Sequence, residues 1–201
     1  MTKIRFGAAL MAAVISTPVV AQTTGPTFNA PYRAFERHEF GATMAFPDGG
    51  GTQLEGEYRF GHGTYDIGLR GGAFFPGGGA SSQVTLGVIA RNRVLTHSES
   101  FPLDGAIVFG GGVHANGGTF WNFPVGLSLG RRLDVEGSQV SIVPYAEPAG
   151  FLTHDAVNGT DLQIGVGFGA DFRLSALFDA RVSIGVGDGP KGVSVSAVWV
   201  H

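Results

Sequence analysis

Apolar and polar positions alternate with a period of two from Phe40 to Trp199, broken at intervals by clusters of glycine, proline, asparagine and aspartate. In Leu162, Ile164, Val166, Phe168, Ala170 and Phe172 every second side chain is apolar, and between them stand Gln163, Gly165, Gly167, Gly169, Asp171 and Arg173. Such alternation marks a half-buried β-strand. The row opposite the apolar one is not the lysine- and threonine-rich surface of a soluble sheet. It is glycine, serine, arginine and carboxylate, which suits the crowded polar interior of a small barrel whose apolar row faces lipid.

Ten strand windows follow along the chain: His38–Phe46, Thr52–Phe60, Thr64–Phe75, Ser82–Leu95, Asp104–Ala115, Phe120–Leu133, Gln139–Thr153, Asp161–Leu174, Phe178–Val186 and Gly192–Val200. Turn chemistry separates them, as in Pro47-Asp48-Gly49, Gly61-His62-Gly63, Asn116-Gly117-Gly118 and Asp188-Gly189-Pro190. Each window reaches the roughly 9 to 11 residues that a tilted strand needs to cross a bilayer. The pattern predicts an all-β fold, a closed antiparallel up-and-down transmembrane β-barrel of about ten strands. Eight is the alternative, because the windows at His38 and around Pro144 and Pro148 are the weakest. An even number of strands returns both ends of the mature chain to one side, the periplasmic side in a bacterial outer membrane.

The amino terminus has the form of an export signal. Lys3 and Arg5 precede an apolar run from Phe6 to Ile15, and Val19-Val20-Ala21 offers small residues for cleavage before Gln22. The run is shorter than the roughly 20 residues of a spanning helix. The organisation expected is therefore a signal peptide over 1–21, an extended leader over 22–37 on the periplasmic side, and a barrel over 38–201.

Composition narrows the chemistry. Without cysteine there is no disulfide framework, no thiolate metal site and no lipid attachment point. A formal net charge of -3 gives no basic excess for nucleic acid. The 34 glycines lack a G-x-y period and alternate with bulky apolar residues, so they belong to strands and turns.

Reading the face opposite the apolar row through every window collects Arg37, Arg59, Arg70, Arg91, Arg93, Arg132, Arg173 and Arg181. The same face carries Glu39, Glu55, Glu57, Asp66, Glu147, Asp161, Asp171 and Asp179. Eight cations thus meet eight anions in a lumen just wide enough for side chains, where a lone charge is costly and a hydrogen-bonded pair tolerable. The expectation is a structural plug of ion pairs. Arginine suits it better than lysine, because a planar guanidinium holds carboxylates bidentately or bridges two of them. Lys3 and Lys191 are the only lysines. Gly110, Gly112, Gly126, Gly130, Gly165, Gly167, Gly169 and Gly185 on the inner row leave room for those arginines and for Tyr145.

Aromatic residues gather near window ends on the outer row, among them Phe40, Phe46, Tyr58, Phe60, Tyr65, Phe75, Trp121, Phe123, Phe172, Phe178 and Trp199, as two interfacial girdles would. No catalytic constellation stands out. The six histidines are scattered without i,i+4 pairing or thiolate companions, and His97-Ser98-Glu99 places triad residue types side by side where a triad needs convergence from separate elements. The glycine runs lack the Lys-Ser/Thr of a phosphate loop. No catalytic, cofactor or metal residue is assigned.

The signal, the alternating strands and the phrase from Gly169-Ala170-Asp171-Phe172-Arg173-Leu174 to Phe178-Asp179-Ala180-Arg181-Val182 resemble small bacterial outer-membrane β-barrel proteins of the opacity-protein and porin-like kind. The resemblance covers the mature chain and implies architecture. It also implies outer-membrane lipid and the barrel assembly machinery as partners. That machinery often reads a terminal Phe or Trp, whereas here Val193, Val195, Ala197 and Trp199 keep the alternation and His201 follows. The function expected is a monomeric, non-enzymatic barrel serving envelope integrity or surface contact. The alternatives are a narrow porin for small solutes, a soluble exported barrel with its apolar face inward, and a lipid-modifying enzyme acting at the rim.

Overall fold

A computed structural model describes residues 25–31, 35, 37–115 and 119–201. The signal segment expected over 1–21 and the Asn116-Gly117-Gly118 turn lie outside the described residues. Eleven strands follow in order: β1 (Glu39–Pro47), β2 (Thr52–His62), β3 (Tyr65–Phe75), β4 (Gln83–Leu95), β5 (Asp104–Ala115), β6 (Thr119–Gly130), β7 (Leu133–Asp134), β8 (Ser141–Asp155), β9 (Gly159–Arg173), β10 (Phe178–Gly187) and β11 (Gly192–Val200). Ten of them form the wall. The two-residue β7 is a short ribbon on the start of β8, and β6 ends at Gly130, short of the Leu133 to which the alternation extends it.

Every neighbouring pair is antiparallel, and the wall closes twice over. The first strand pairs with the last from Glu39↔Val200 to Pro47↔Gly192, and β6 pairs with β8 from Phe120↔Asp155 to Gly130↔Tyr145. The fold is thus an all-β, closed antiparallel barrel of ten wall strands. Closure leaves no free sheet edge, which removes the usual liability of exposed strand hydrogen-bonding groups.

Alternation sets the two faces. In β1 the pattern runs Glu39 buried, Phe40 exposed, Gly41 buried, and it continues to Phe46. Outward rows carry Leu69, Val84, Leu86, Phe109, Val125, Ile164, Phe168, Ile184 and Trp199, all exposed. Inward rows carry the charge: Arg59 and Asp66 are each 0% exposed.

Proline is accommodated by breaks in pairing. Pairing of β5 with β6 skips from Phe109↔Val125 to Gly112↔Asn122, and Pro124 lies in that gap. Pairing of β6 with β8 skips from Gly126↔Ala149 to Leu129↔Ala146, and Pro148 lies there. A residue without an N–H is tolerated where no ladder bond is required. The tightest turn is Gly63-Thr64, closed by His62↔Tyr65, with Gly63 at φ 67° in the left-handed region.

Candidate functional site: the filled lumen

Cross-strand register places opposite charges side by side on the inner wall. Glu39 faces Arg59, Asp66 faces Arg91, and Asp171 faces Arg181. Arg91 grips Asp66 bidentately, with Nη2 on Oδ2 at 2.8 Å and Nε at 3.1 Å from both oxygens. Arg59 reaches the other side of Asp66 at 2.5 Å, forms an ion pair with Glu57, and stands 4.0 Å from Glu39. Glu39 in turn accepts from Arg181 Nη2 at 2.8 Å, and Arg181 lies 3.2 Å from Asp171 and 3.8 Å from Asp179. The result is one continuous chain of alternating charge, Arg91 to Asp66 to Arg59 to Glu39 to Arg181 to Asp171, running round the wall from β4 through β3, β2, β1 and β10 to β9. Beside it Arg70 bonds Glu55 at 2.6 Å, and Thr85 donates to the same carboxylate at 3.3 Å.

The remaining residues of the sequence-derived set lie elsewhere. Glu147 is buried on the far side of the lumen, on β8. Arg93 and Arg173 are half-buried near the rim. Arg37, Arg132 and Asp161 are exposed: Arg37 donates to the Ala176 carbonyl at 3.5 Å, Arg132 pairs with Asp134 at 2.7 Å, and Asp161 accepts from Leu162 N at 2.9 Å. Arg37 precedes the first strand, and the windows holding Arg132 and Asp161 run to the mouth of the barrel, where alternation no longer has an inside. Charge balance shifts accordingly. Four arginines but eight carboxylates are buried among the described residues, the eighth being Asp104.

The lumen also holds backbone. Gly25 to Pro31 are buried throughout, and Phe35 is 1% exposed. The leader expected on the periplasmic side therefore enters the barrel over these residues. Wall side chains bind its main chain from several directions. Ser183 Oγ accepts from Phe28 N at 3.3 Å, and Glu147 accepts from Asn29 N at 3.5 Å. The Tyr145 hydroxyl donates to the Phe28 carbonyl at 2.9 Å, Ser128 to the Asn29 carbonyl at 2.7 Å, and Arg91 Nη1 to the Ala30 carbonyl at 2.5 Å. Arg181 Nη1 reaches the Asn29 side-chain oxygen at 3.4 Å. The Phe35 ring lies under the guanidinium groups of Arg91 and Arg93, 5.2 and 5.8 Å from its centroid, in cation–π contact.

Two features of the wall make room for this segment. Gly167 and Gly185 face each other across β9 and β10, and a Cβ on Gly167 would overlap the Phe28 ring. On either side of Glu147 the inner row of β8 is apolar: Val143, Tyr145, Ala149 and Phe151 form a buried cluster with Phe28 and Ala30. That row was the signal in the sequence. Valine, tyrosine, alanine and phenylalanine on the lumen side of one strand call for an apolar neighbour, which Phe28 and Ala30 supply. At the opposite mouth the turn after β10 folds inward, bringing Gly189 and Pro190 into burial against Phe151 and Gly185.

At the rim His97 bonds Asp104, Nδ1 to Oδ2 at 2.8 Å. Ser98 Oγ instead accepts from Phe101 N at 3.2 Å and shares a hydrogen bond with Ser100 at 3.1 Å. The acid beside this histidine is thus Asp104 and not the adjacent Glu99. Among the described residues no group of three or more His, Asp or Glu side chains is placed to hold a metal ion.

Fold and interior together define a closed ten-stranded antiparallel β-barrel, charged and filled within and apolar without. No family model matches the chain, and no curated protein matches it. Among solved structures it is similar to a chain described as "Bacterial polysaccharide outer membrane secretin", with a TM-score of 0.48 and 10% sequence identity. The likeness covers 86% of this chain and 65% of that one, so this chain spans just under two thirds of its length.

Proposed function

We propose that the chain is a bacterial outer-membrane β-barrel whose lumen is closed by arginine–carboxylate pairs, with a structural role in the envelope or a role in surface contact, and no catalysis. The observation that carries this reading is the inverted polarity of the wall. Phe40, Leu69, Val84, Leu86, Val125, Ile164 and Trp199 are exposed while Arg59, Asp66, Arg91 and Glu147 are buried, the opposite of a soluble barrel. An exposed apolar band of this extent needs a covering, and a bilayer covers a continuous belt around a closed barrel. Aromatic neighbours on the outer face near one rim, Phe178 with Trp199 at 5.3 Å and Tyr58 with Phe60 at 4.6 Å, suit an interfacial girdle.

In that setting the rim bearing Glu39 and Val200 faces the periplasm, and the turns after β1, β3, β5, β8 and β10 face outward. Outer-membrane lipid and the barrel assembly machinery are the partners this reading requires, and the protein acts as a monomer. The decisive experiment is membrane fractionation with gel mobility before and after boiling. The expected result is recovery with outer membranes and faster migration when unboiled, because a closed barrel resists detergent until heated. Recovery as a soluble periplasmic protein with no mobility change would sink the proposal.

A further inference from the structure

Keeping the membrane reading but not closure by the ion pairs alone, we infer that the barrel is a narrow conduit for small ions and polar solutes, constricted by those pairs and held shut by its own segment Gly25–Pro31 as a removable plug. Three observations carry this. First, the segment adds nothing to wall closure. The ten strands pair with one another all round, and the contacts to the segment come from the side chains of Arg91, Ser128, Tyr145, Glu147, Arg181 and Ser183. Withdrawal breaks no bond of the wall's ladder.

Second, the arginines that touch the segment are already neutralised by the wall. Arg91 is held by Asp66, and Arg181 by Glu39 and Asp171, so departure of the segment strands no buried cation. A group that gave up its only partner would oppose opening, and these do not.

Third, the segment lies against a part of the wall that the ion pairs leave uncrowded. The ion-pair chain clings to β1–β4, β9 and β10, whereas the segment rests on Gly167, Gly185 and the inner row of β8. The space it occupies is a lane one polypeptide wide, bounded by the charge network on one side and by Gly167, Gly185, Ser183, Tyr145 and the apolar Val143, Ala149 and Phe151 on the other. Emptied, that lane opens to water beside the inward turn of Gly189 and Pro190, which remains as a constriction at one mouth. Eight buried carboxylates against four buried arginines bias it toward cations.

The test compares the full chain with a variant lacking Gly25–Pro31 and with Phe28→Asp, each purified, shown to be heat-modifiable, and reconstituted in planar bilayers with a KCl gradient. The full chain is expected to stay closed. The deletion is expected to give steady ohmic steps with a reversal potential favouring cations, and the synthetic peptide Gly-Pro-Thr-Phe-Asn-Ala-Pro, added back, is expected to suppress them. Phe28→Asp places a carboxylate against the apolar row of β8 and should yield intermittent openings of the same size, which keeps the test alive if the deletion fails to fold. A folded, inserted deletion variant that stays closed, or openings indifferent to the peptide, would overturn the plug. Failure of the full chain to enter membranes at all would bring down the membrane reading instead.

Discussion

The ring of Phe28 fills the space that a side chain on Gly167 would need, so the identity of one wall residue decides whether the amino-terminal segment can lie in the lumen. Gly167 pairs with Gly185 on β10 and with Glu147 on β8. A branched residue there leaves strand pairing possible while unseating the ring.

Gly167→Val is therefore expected to lower stability in detergent micelles by about 1–3 kcal/mol, the range for overpacking a filled interior. Gly150→Ala is the control, because its added methyl would meet no atom closer than the Gln163 carbonyl oxygen at 4.0 Å. Urea unfolding followed by tryptophan fluorescence checks both. Equal stability of the two variants would show that the ring is not seated on Gly167.

Arg59 is the hub of the charge chain, with Glu57, Asp66 and Glu39 about it and no exposure. Arg59→Met removes the one cation that reaches all three carboxylates and is expected to cost about 3–5 kcal/mol, as when one partner of a buried pair is deleted. Adding Glu57→Gln to the same chain should recover part of that loss, since it removes one of the stranded charges. A double-mutant cycle with strictly additive effects would mean that the two residues do not interact.

Val195 stands midway along β11, between Met44 and Val182 on the outer wall, with all three at least 40% exposed. Val195→Arg is expected to cost about 2–4 kcal/mol of folding free energy in lipid vesicles if the position lies near the bilayer midplane. The lumen-facing neighbour Ser194, hydrogen-bonded to Ser183 at 2.7 Å, should respond through packing inside the barrel and not through lipid. An unchanged folding free energy for Val195→Arg would show that lipid does not contact this face.

The rim histidine provides a check on catalysis. With Ser98 bonded to Ser100 and Phe101 while His97 is held by Asp104, purified protein is expected to release no fatty acid from phospholipid vesicles. Ser98→Ala should be indistinguishable from the parent. Deacylation that the parent performs and Ser98→Ala loses would establish a rim enzyme.

The local pattern determined much of this molecule. Ten windows of alternation match ten wall strands to within a few residues, because side chains on a strand point to opposite faces and a two-sided environment writes itself into every second position. The same logic placed Glu39, Glu55, Glu57, Arg59, Asp66, Arg70, Arg91, Glu147, Asp171, Asp179 and Arg181 inside. It placed Arg37, Arg132 and Asp161 inside as well, because the alternating positions reach the rim and the residue before the first strand while the interior does not.

Tertiary structure alone decided two things. One is which charges meet: Arg70 faces Glu57 in register yet bonds Glu55, and Asp66 is shared between arginines from two strands, choices set by side-chain reach across a curved wall. The other is the fate of the segment from Gly25 to Pro31, which has no periodicity of its own. Its place depends on what the wall leaves empty, and that space exists only once β8, β9 and β10 bring an apolar row and a pair of glycines together around it.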